Sequence, residues 1–504
     1  MSSLIGAAVA VPLVGAALTI LAAPSRSLQR WTALVVVAAT SGIAIALLAA
    51  TADGETGALA VGGWAPTAAG IVLVADLTAS MFLVISMLSL AAVLVFAVGQ
   101  RASDVDTPAF YPVYMVLTAG VSMAFLTSDL FTLFVAFELL LIASYILLTL
   151  GRRADQVRSA MTYVVINLLA GALFIAAIAY LYGAVGTVSM AEIARRLPEI
   201  PDATVTATML ALLAVFGIKA AVVPLHFWLP DSYPTAPTTV TAVFAGLLTK
   251  IGVYALIRTT TLFDLDQLTG VLLVVASVTM LIGVLGAIAQ DDIKRILSFH
   301  IISQIGYMVL GIGLFTVSGI AAAIFFTVHQ IPIKTALFMT GGLVEDRAGT
   351  SALRRIDGFA RTAPMVGVLF ALAAASLAGL PPFSGFVGKL ALVESGVDGG
   401  AWVPVVVSLV ASLLTLVSMT KIWTQVFWGE PTPVPVEVTP GSGGAIAVAS
   451  PSRPRIMTAA TAGIVAVTLG IALFAGPIWD WSMTAAADLR DPAEYIGAVT
   501  GAGT

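Results

Sequence analysis

Apolar runs of about transmembrane length, parted by short polar stretches, fill almost the whole chain. A helix needs about 20 mainly apolar residues to cross the hydrocarbon core of a bilayer. Fourteen spanning segments are expected: 2–23, 32–52, 70–99, 109–128, 130–150, 160–186, 205–229, 236–260, 268–289, 296–317, 319–344, 362–395, 401–428 and 456–478. Two divisions, at Ser128-Asp129 and near Val317-Ser318, cut a long apolar run with only a very short turn.

Prolines break two of these segments. Pro224 interrupts the seventh, five residues after Lys219, and Pro381-Pro382 interrupts the twelfth, seven residues before Lys389. A proline inside a helix removes a backbone donor and frees carbonyls, which a bilayer tolerates only against protein or a polar cavity. Broken helices that carry a charge, in corresponding positions, point to structural repeats. Five spans separate the two breaks, and an odd number of spans per repeat inverts one repeat relative to the other. The expected fold is an all-α polytopic membrane protein of about 14 transmembrane helices, with two inverted five-helix repeats and helices 7 and 12 broken. The expected divisions are 1–108 (helices 1–3), 109–260 (first repeat), 261–428 (second repeat), 429–455 (a flexible inner loop rich in Pro, Gly and Ser) and 456–504 (helix 14 and a C-terminal tail). Ser189-Met190-Ala191-Glu192 matches a capping box and is expected to start a short amphipathic helix, through Leu197, on the outer membrane surface.

Charge sets the orientation. With the N-terminus outside, fifteen Lys and Arg fall on inner loops and helix ends and four on outer ones. That asymmetry follows the positive-inside rule and puts both termini outside. The N-terminus lacks a basic n-region and reads as a first spanning helix, not a cleaved signal.

Composition narrows the chemistry. The 504 residues are 59% hydrophobic and 10% charged, against roughly 25% charged in soluble domains. No cysteine is present, which removes disulfides, iron–sulfur clusters and thiol nucleophiles. The three histidines show no metal-ligand spacing, and the net charge of −4 carries no basic block for nucleic acid. No cofactor fingerprint, phosphate loop or nucleophile–base set stands out, so no cofactor is expected and an enzyme is disfavoured.

The candidate site is the set of charges inside the spans. Glu138 sits in LFTLFVAFELLLIASYILL with no counter-charge nearby in sequence. Lys219 is its natural partner, and the alternative is a static pair joining two helices. Lys250 has a bland reading too, snorkelling to the outer surface near Arg258. His329 and Lys334 lie mid-span with Pro332 between them, and Lys389 has Glu394 as a possible static partner. His300 stands near Lys294 and Arg295, where a surface role is equally open, and His226 follows the first break, where it could line an inner vestibule. Asp129, Asp231, Asp291 and Asp292 fall at helix ends, where capping and solvation account for them. Intramembrane charges that face protein or water mark ion and proton paths. Glu138, Lys219, Lys250, His329, Lys334 and Lys389 together make a chain that can pass protons or an electrostatic state from one site to the next.

The stretches LFTLFVAFELLLIASY, GIKAAVVPLHFWLPDSYPTAPTTVTA, QDDIKRILSFHIISQIGYM, HQIPIKTALF and LAGLPPFSGFVGK, in that order, resemble the antiporter-like subunits shared by respiratory complex I and Mrp-type cation/proton antiporters. SFHIISQIGYM and KIWTQVFWGE are most similar to the MrpD group of the Mrp Na+/H+ antiporters. The resemblance implies 14 helices with inverted repeats. It implies Glu138 and Lys219 as a coupling pair, Lys250 as a bridge and Lys389 as the distal exchange site. It also implies a hetero-oligomer with other Mrp subunits in the lipid bilayer of the inner (cytoplasmic) membrane, with protons and Na+ as cargo. One position departs: family members often carry His where this chain has Gln330, and glutamine hydrogen-bonds without titrating. Two other functions compete: a redox-driven proton-pumping subunit of complex I or a membrane-bound hydrogenase, and a scaffold whose charges only join helices. No hard-oxygen cage for sodium is visible, so its path is open.

Overall fold

The computed structural model describes residues 1–62, 70–100, 107–151, 153–259, 268–430 and 453–501. The loop expected at 429–455 lies mostly outside the described residues. The first helices are α1 (Ser2–Leu21), α2 (Arg26–Thr51), α3 (Leu77–Gly99), α4 (Phe110–Leu126), α5 (Leu130–Leu148) and α6 (Ala154–Val185). The short α7 (Met190–Arg196) leads to α8 (Asp202–Ala220), α9 (Trp228–Ser232) and α10 (Thr238–Val243). A π-helical turn, Phe244–Leu248, joins α10 to α11 (Thr249–Thr259). Then come α12 (Thr269–Ala289), α13 (Ile293–Gly313), α14 (Val317–Ala348), α15 (Phe359–Thr362), α16 (Pro364–Ala378) and α17 (Ser384–Asp398). The chain closes with α18 (Trp402–Ile422), α19 (Pro454–Leu473), α20 (Ala475–Arg490) and α21 (Ala493–Gly501). Every expected span holds a helix. Twelve helical spans among the described residues are long and apolar enough to cross a membrane, while Phe110–Leu126 and Pro364–Ala378 are apolar but shorter. The chain is a multi-span membrane protein.

Both thin divisions are real boundaries. Asp129 caps α5 by accepting from Thr132 N at 2.6 Å, and Thr316 caps α14 by accepting from Gly319 N at 3.0 Å. A side-chain acceptor at an N-cap satisfies one of the otherwise unpaired amides, so a helix can start with almost no loop. Two expectations are corrected. The segment expected as a span from 70 opens as a strand, Ile71–Ala75 (β2), paired antiparallel with Gly57–Val61 (β1) before α3 begins. The β-branched residues Ile71, Val72 and Val74 suit a strand as well as a helix, and Asp76 ends the strand by capping α3. The capping box at Ser189 does not form: α7 starts there, but Ser189 makes no side-chain cap bond, and Glu192 pairs instead with Arg195 at 3.1 Å and Arg196 at 3.2 Å. One face of α7 packs inward, with Met190, Ala191, Glu192 and Ile193 buried and Ala191 beside β2 and α21, while Arg195 is exposed. The C-terminal tail is likewise helical, as α20 and α21.

Similar devices occur twice along the chain. Asp129 caps α5 and bridges to Ser189; Asp292 caps α13 and bridges to Ala352. The breaks match as well: α8 ends at Ala221 and α16 at Gly379, both left-handed. A second π-helical turn, Trp423–Phe427, ends α18. The middle of the bundle is α14, buried over nearly all of its 32 residues and running unbroken through Pro332. It packs on α3, α10, α13, α16, α17, α19 and α20, so His329, Lys334 and Lys389 lie on it or on a neighbour, while Glu138 and Lys219 stand further out, on α5 and α8.

Candidate functional site

Of the four candidate lysines, all but one sit where a helix is irregular, and the irregularity supplies their acceptors. Lys219 is in the last turn of α8, before the break, with Nζ 3.4 Å from both the backbone carbonyl and Oδ1 of Asn167 on α6. Carbonyls freed by the break are taken up locally: Val222 N donates to Gly217 O at 2.9 Å and Trp228 Nε1 to Ile218 O at 3.0 Å. Lys250 lies just past the π-helical turn. Such a turn leaves a carbonyl outside the regular ladder, and Lys250 Nζ donates to Ala245 O at 2.5 Å. Lys389 on α17 reaches across the second break to the end of α16, with Leu377 O at 3.1 Å, Ala378 O at 2.9 Å and Ser412 Oγ at 3.0 Å. The last carbonyls of a helix lack intrahelical partners and carry the negative end of its dipole, so an ammonium fits there. Its ammonium also stands 5.1 Å from the ring centre of Tyr307. The exception is Lys334, two residues past Pro332, which is fully buried and whose Nζ has no hydrogen-bond partner.

The expected Glu138–Lys219 ion pair is absent among the described salt bridges. Both side chains approach α6 instead. Glu138 Oε1 points at Gly171, where an added Cβ would lie 2.6 Å away, and Lys219 meets Asn167 one turn earlier. Asn167 thus receives Lys219 one turn from where Glu138 meets the same helix, a polar position in an apolar span that carries no charge to mark it in the sequence. Lys389 is not paired with Glu394 either. Lys250 does not snorkel. It turns back along its helix to Ala245, while Arg258 at the other end is held by Asp76 at 2.5 and 2.8 Å.

The histidines separate. His329 Nδ1 lies 2.8 Å from Ser384 Oγ, which joins α14 to the first residue of α17 just past the second break. It therefore belongs with Lys389's helix, not with Lys334. His300 is no surface group: it is fully buried, with Nε2 2.9 Å from Ser418 Oγ. His226 is buried beside Phe227 and does not line the polar cavity on that side of the bundle. Gln330 Nε2 donates to Gln304 Oε1 at 3.3 Å. Five buried polar atoms here lack a protein partner: His300 Nδ1, Gln304 Nε2, His329 Nε2, Gln330 Oε1 and Lys334 Nζ. Buried polar groups are satisfied by protein or by internal water, so this cluster between Lys334 and Lys389 suits water. Ser384, Ser412 and Gln304 could not be singled out in the sequence, because uncharged polar residues are common in apolar helices.

A family model described as NADH:quinone oxidoreductase/Mrp antiporter, transmembrane, matches residues 127–415, which include all six candidate residues. The chain belongs to this family. The D-type chain of the Na(+)/H(+) antiporter of Alkalihalophilus pseudofirmus is 39% identical over 504 residues, covering 99% of each chain. A chain of the Mrp complex from Dietzia sp. DQ12-45-1b superposes with a TM-score of 0.91 at 35% identity, covering 99% of this chain and 100% of that one. A chain of respiratory complex I from Thermus thermophilus gives a TM-score of 0.75 at 23% identity over 94% of this chain and 98% of that one, a likeness of fold alone. Within the antiporter family, the lysines of this chain are therefore set in a fold common to both branches.

Proposed function

We propose that the chain is the proton-translocating subunit of a multi-subunit Mrp-type monovalent cation (Na+)/proton antiporter. One observation carries this reading: four buried lysines, Lys219, Lys250, Lys334 and Lys389, none within ion-pair distance of a carboxylate among the described residues. An unpaired ammonium inside a membrane protein is costly, and releasing its proton removes the cost. Charges that served only to join helices would be expected in pairs. Arg258–Asp76, in the same protein, is such a pair.

In this mechanism Glu138 accepts a proton and Lys219, held by Asn167, loses one as the local charge changes. The change passes to Lys250 and Lys334, each protonation altering the next. From Lys334 the proton crosses water held by Gln304, Gln330, His300 and His329 to Lys389. Gln330 acts by hydrogen bonding and His329 by titration. The identity with MrpD-type relatives over nearly the full length favours the cation/proton antiporter over the redox-driven alternative. It also supports assembly with other Mrp subunits and transport in place of enzyme chemistry. The recurring caps and breaks support the two repeats, 109–260 and 261–428. The bias of fifteen basic residues against four supports a place in the cytoplasmic membrane with both termini outside.

The test is cation-dependent ΔpH collapse in everted vesicles carrying the whole complex, wild type beside Glu138→Ala and Lys219→Ala, with assembly followed on native gels. Loss of exchange in assembled variants is expected. Normal exchange in them would sink the assignment. Acidification driven only by a reductant would favour the redox-driven reading.

A further inference from the structure

A polar cavity of about 450 Å³, lined among others by Arg153 and Arg295, opens between the start of α10 and the facing ends of α13 and α14. At its floor lies an ion pair outside the lysine row. Lys294 Nζ is 2.7 Å from Glu345 Oε2, and the lysine is almost wholly buried while the carboxylate faces the cavity. Thr238, the first residue of α10, donates its hydroxyl to the same Glu345 oxygen at 2.6 Å, and Lys294 also reaches Ala236 O at 3.4 Å. Three elements are thereby tied at one point: α10, α13 and α14.

What lies beneath this point is the lysine row. Glu345 and Lys334 are eleven residues apart on α14, which is three turns, so they share a face about 16 Å apart along the axis. Between them α10 and the π-helical turn that follows it meet α14 through small residues: a Cβ on Gly342 would collide with Thr238, and one on Gly246 with Thr335. The seam runs from the cavity floor to Lys250 and Lys334, and its cavity end is closed by the Lys294–Glu345–Thr238 cluster.

We infer that the Lys294–Glu345 pair, with Thr238, is a gate that controls access of water and protons from the cavity to Lys250 and Lys334. The inference rests on the proposed proton path for its purpose, but its geometry does not depend on that path. With the pair formed, the opposed charges hold α13 and α14 against the first turn of α10. With it broken, each partner is left to find water, and the nearest water is in the cavity, so the floor hydrates and the seam opens. Lys294 and Glu345 are positioning residues here.

The chain has no cysteine of its own, so an introduced thiol reports without background from this subunit. Ala242 is fully buried, one turn beyond Thr238 on α10, and its replacement by cysteine barely changes volume. Thr235→Cys, on the cavity wall, is the control. Whole complex in sealed vesicles of each orientation is treated with a membrane-impermeant methanethiosulfonate. Remaining thiol is counted by maleimide–polyethylene glycol gel shift of this chain. The orientation in which Thr235→Cys reacts identifies the cavity's side. On that side, Ala242→Cys is expected to react slowly and to gain at least about tenfold in rate in Glu345→Gln or Lys294→Met backgrounds. The same backgrounds should show a faster proton leak without added cation.

Unchanged Ala242→Cys rates in assembled variants overturn the gate, and so does failure of both single variants to assemble, which makes the pair a structural clamp. If exchange is normal but the rates ignore the pair, only the gate fails. If the rates follow the pair in a complex that exchanges no cation for protons, the gate stands and the proposed function fails.

Discussion

Replacing Asp76 by asparagine takes one charge out of a buried pair while keeping almost every atom in place. Asp76 has two jobs. Its Oδ1 accepts from Ala79 N at 2.8 Å and caps α3, and both its oxygens receive the Arg258 guanidinium, at 2.5 and 2.8 Å. Asparagine keeps an acceptor for the cap, so the substitution isolates the charge. The Arg258 side chain is only 4% exposed, so solvent cannot take over from the lost carboxylate. Breaking a buried pair from one side costs about 3–5 kcal/mol. Tyr254 OH, 2.9 Å from Nη2, and the Tyr495 ring, 5.3 Å away, remain to hold the cation. The expected loss is therefore at the lower end, about 3 kcal/mol. Removing both charges, with Asp76→Asn and Arg258→Gln together, should recover most of it, a coupling only a direct pair gives. The assay is denaturant unfolding of the purified chain in detergent, read by tryptophan fluorescence for the wild type, both single variants and the double. A single-variant loss under about 1 kcal/mol, the range of solvated surface pairs, would refute the reasoning. The pair matters beyond stability because Arg258 is two turns from Lys250 on α11 and anchors that helix end.

Gly252 meets backbone, since an added Cβ would stand 2.6 Å from Ala220 N and 2.8 Å from Lys219 C. Gly252→Ala should therefore displace α11 from the end of α8 and lower exchange by about 100-fold, the cost of a roughly 1 Å misplacement, in a complex that still assembles on native gels. Gly171→Ala meets only the end of the Glu138 side chain, so its effect on assembly should be smaller while exchange still falls. Ser384→Ala removes the partner of His329 Nδ1; the pH profile of exchange should shift relative to wild type while assembly is unchanged, and an unmoved profile would place His329 off the path. At the turn between α12 and α13, the hydrogen bond and charge of Lys421 hold the Asp291 carboxyl below its usual range. A depressed carboxylate stabilises above its unfolded value and loses that contribution as pH falls through its folded one. Asp291→Asn should accordingly lower thermal stability at about pH 7, and the gap should close at a pH below the folded value of Asp291.

The order of spans was legible in the chain because the bilayer demands it: about twenty apolar residues must satisfy their own backbone whatever they pack on. The caps at Asp129 and Asp292 and the breaks at Pro224 and Pro381-Pro382 were legible for the same reason, since each is a local backbone event. The charges inside the spans could also be read directly, because an ionisable group in an apolar run is conspicuous and costly. Their partners could not. Whether Lys219 meets Glu138 or Asn167 depends on which face α6 turns toward α5 and α8. That Lys250 points to Ala245 and not to the outer surface is set by a π-helical turn with no sequence mark. Lys389 finds its acceptors eleven and twelve residues back because the second break turns α16 and α17 against each other. His329 joins Ser384 across two helices far apart in sequence. These contacts come from helix rotation and crossing, which side-chain packing in the assembled bundle decides and no local pattern encodes.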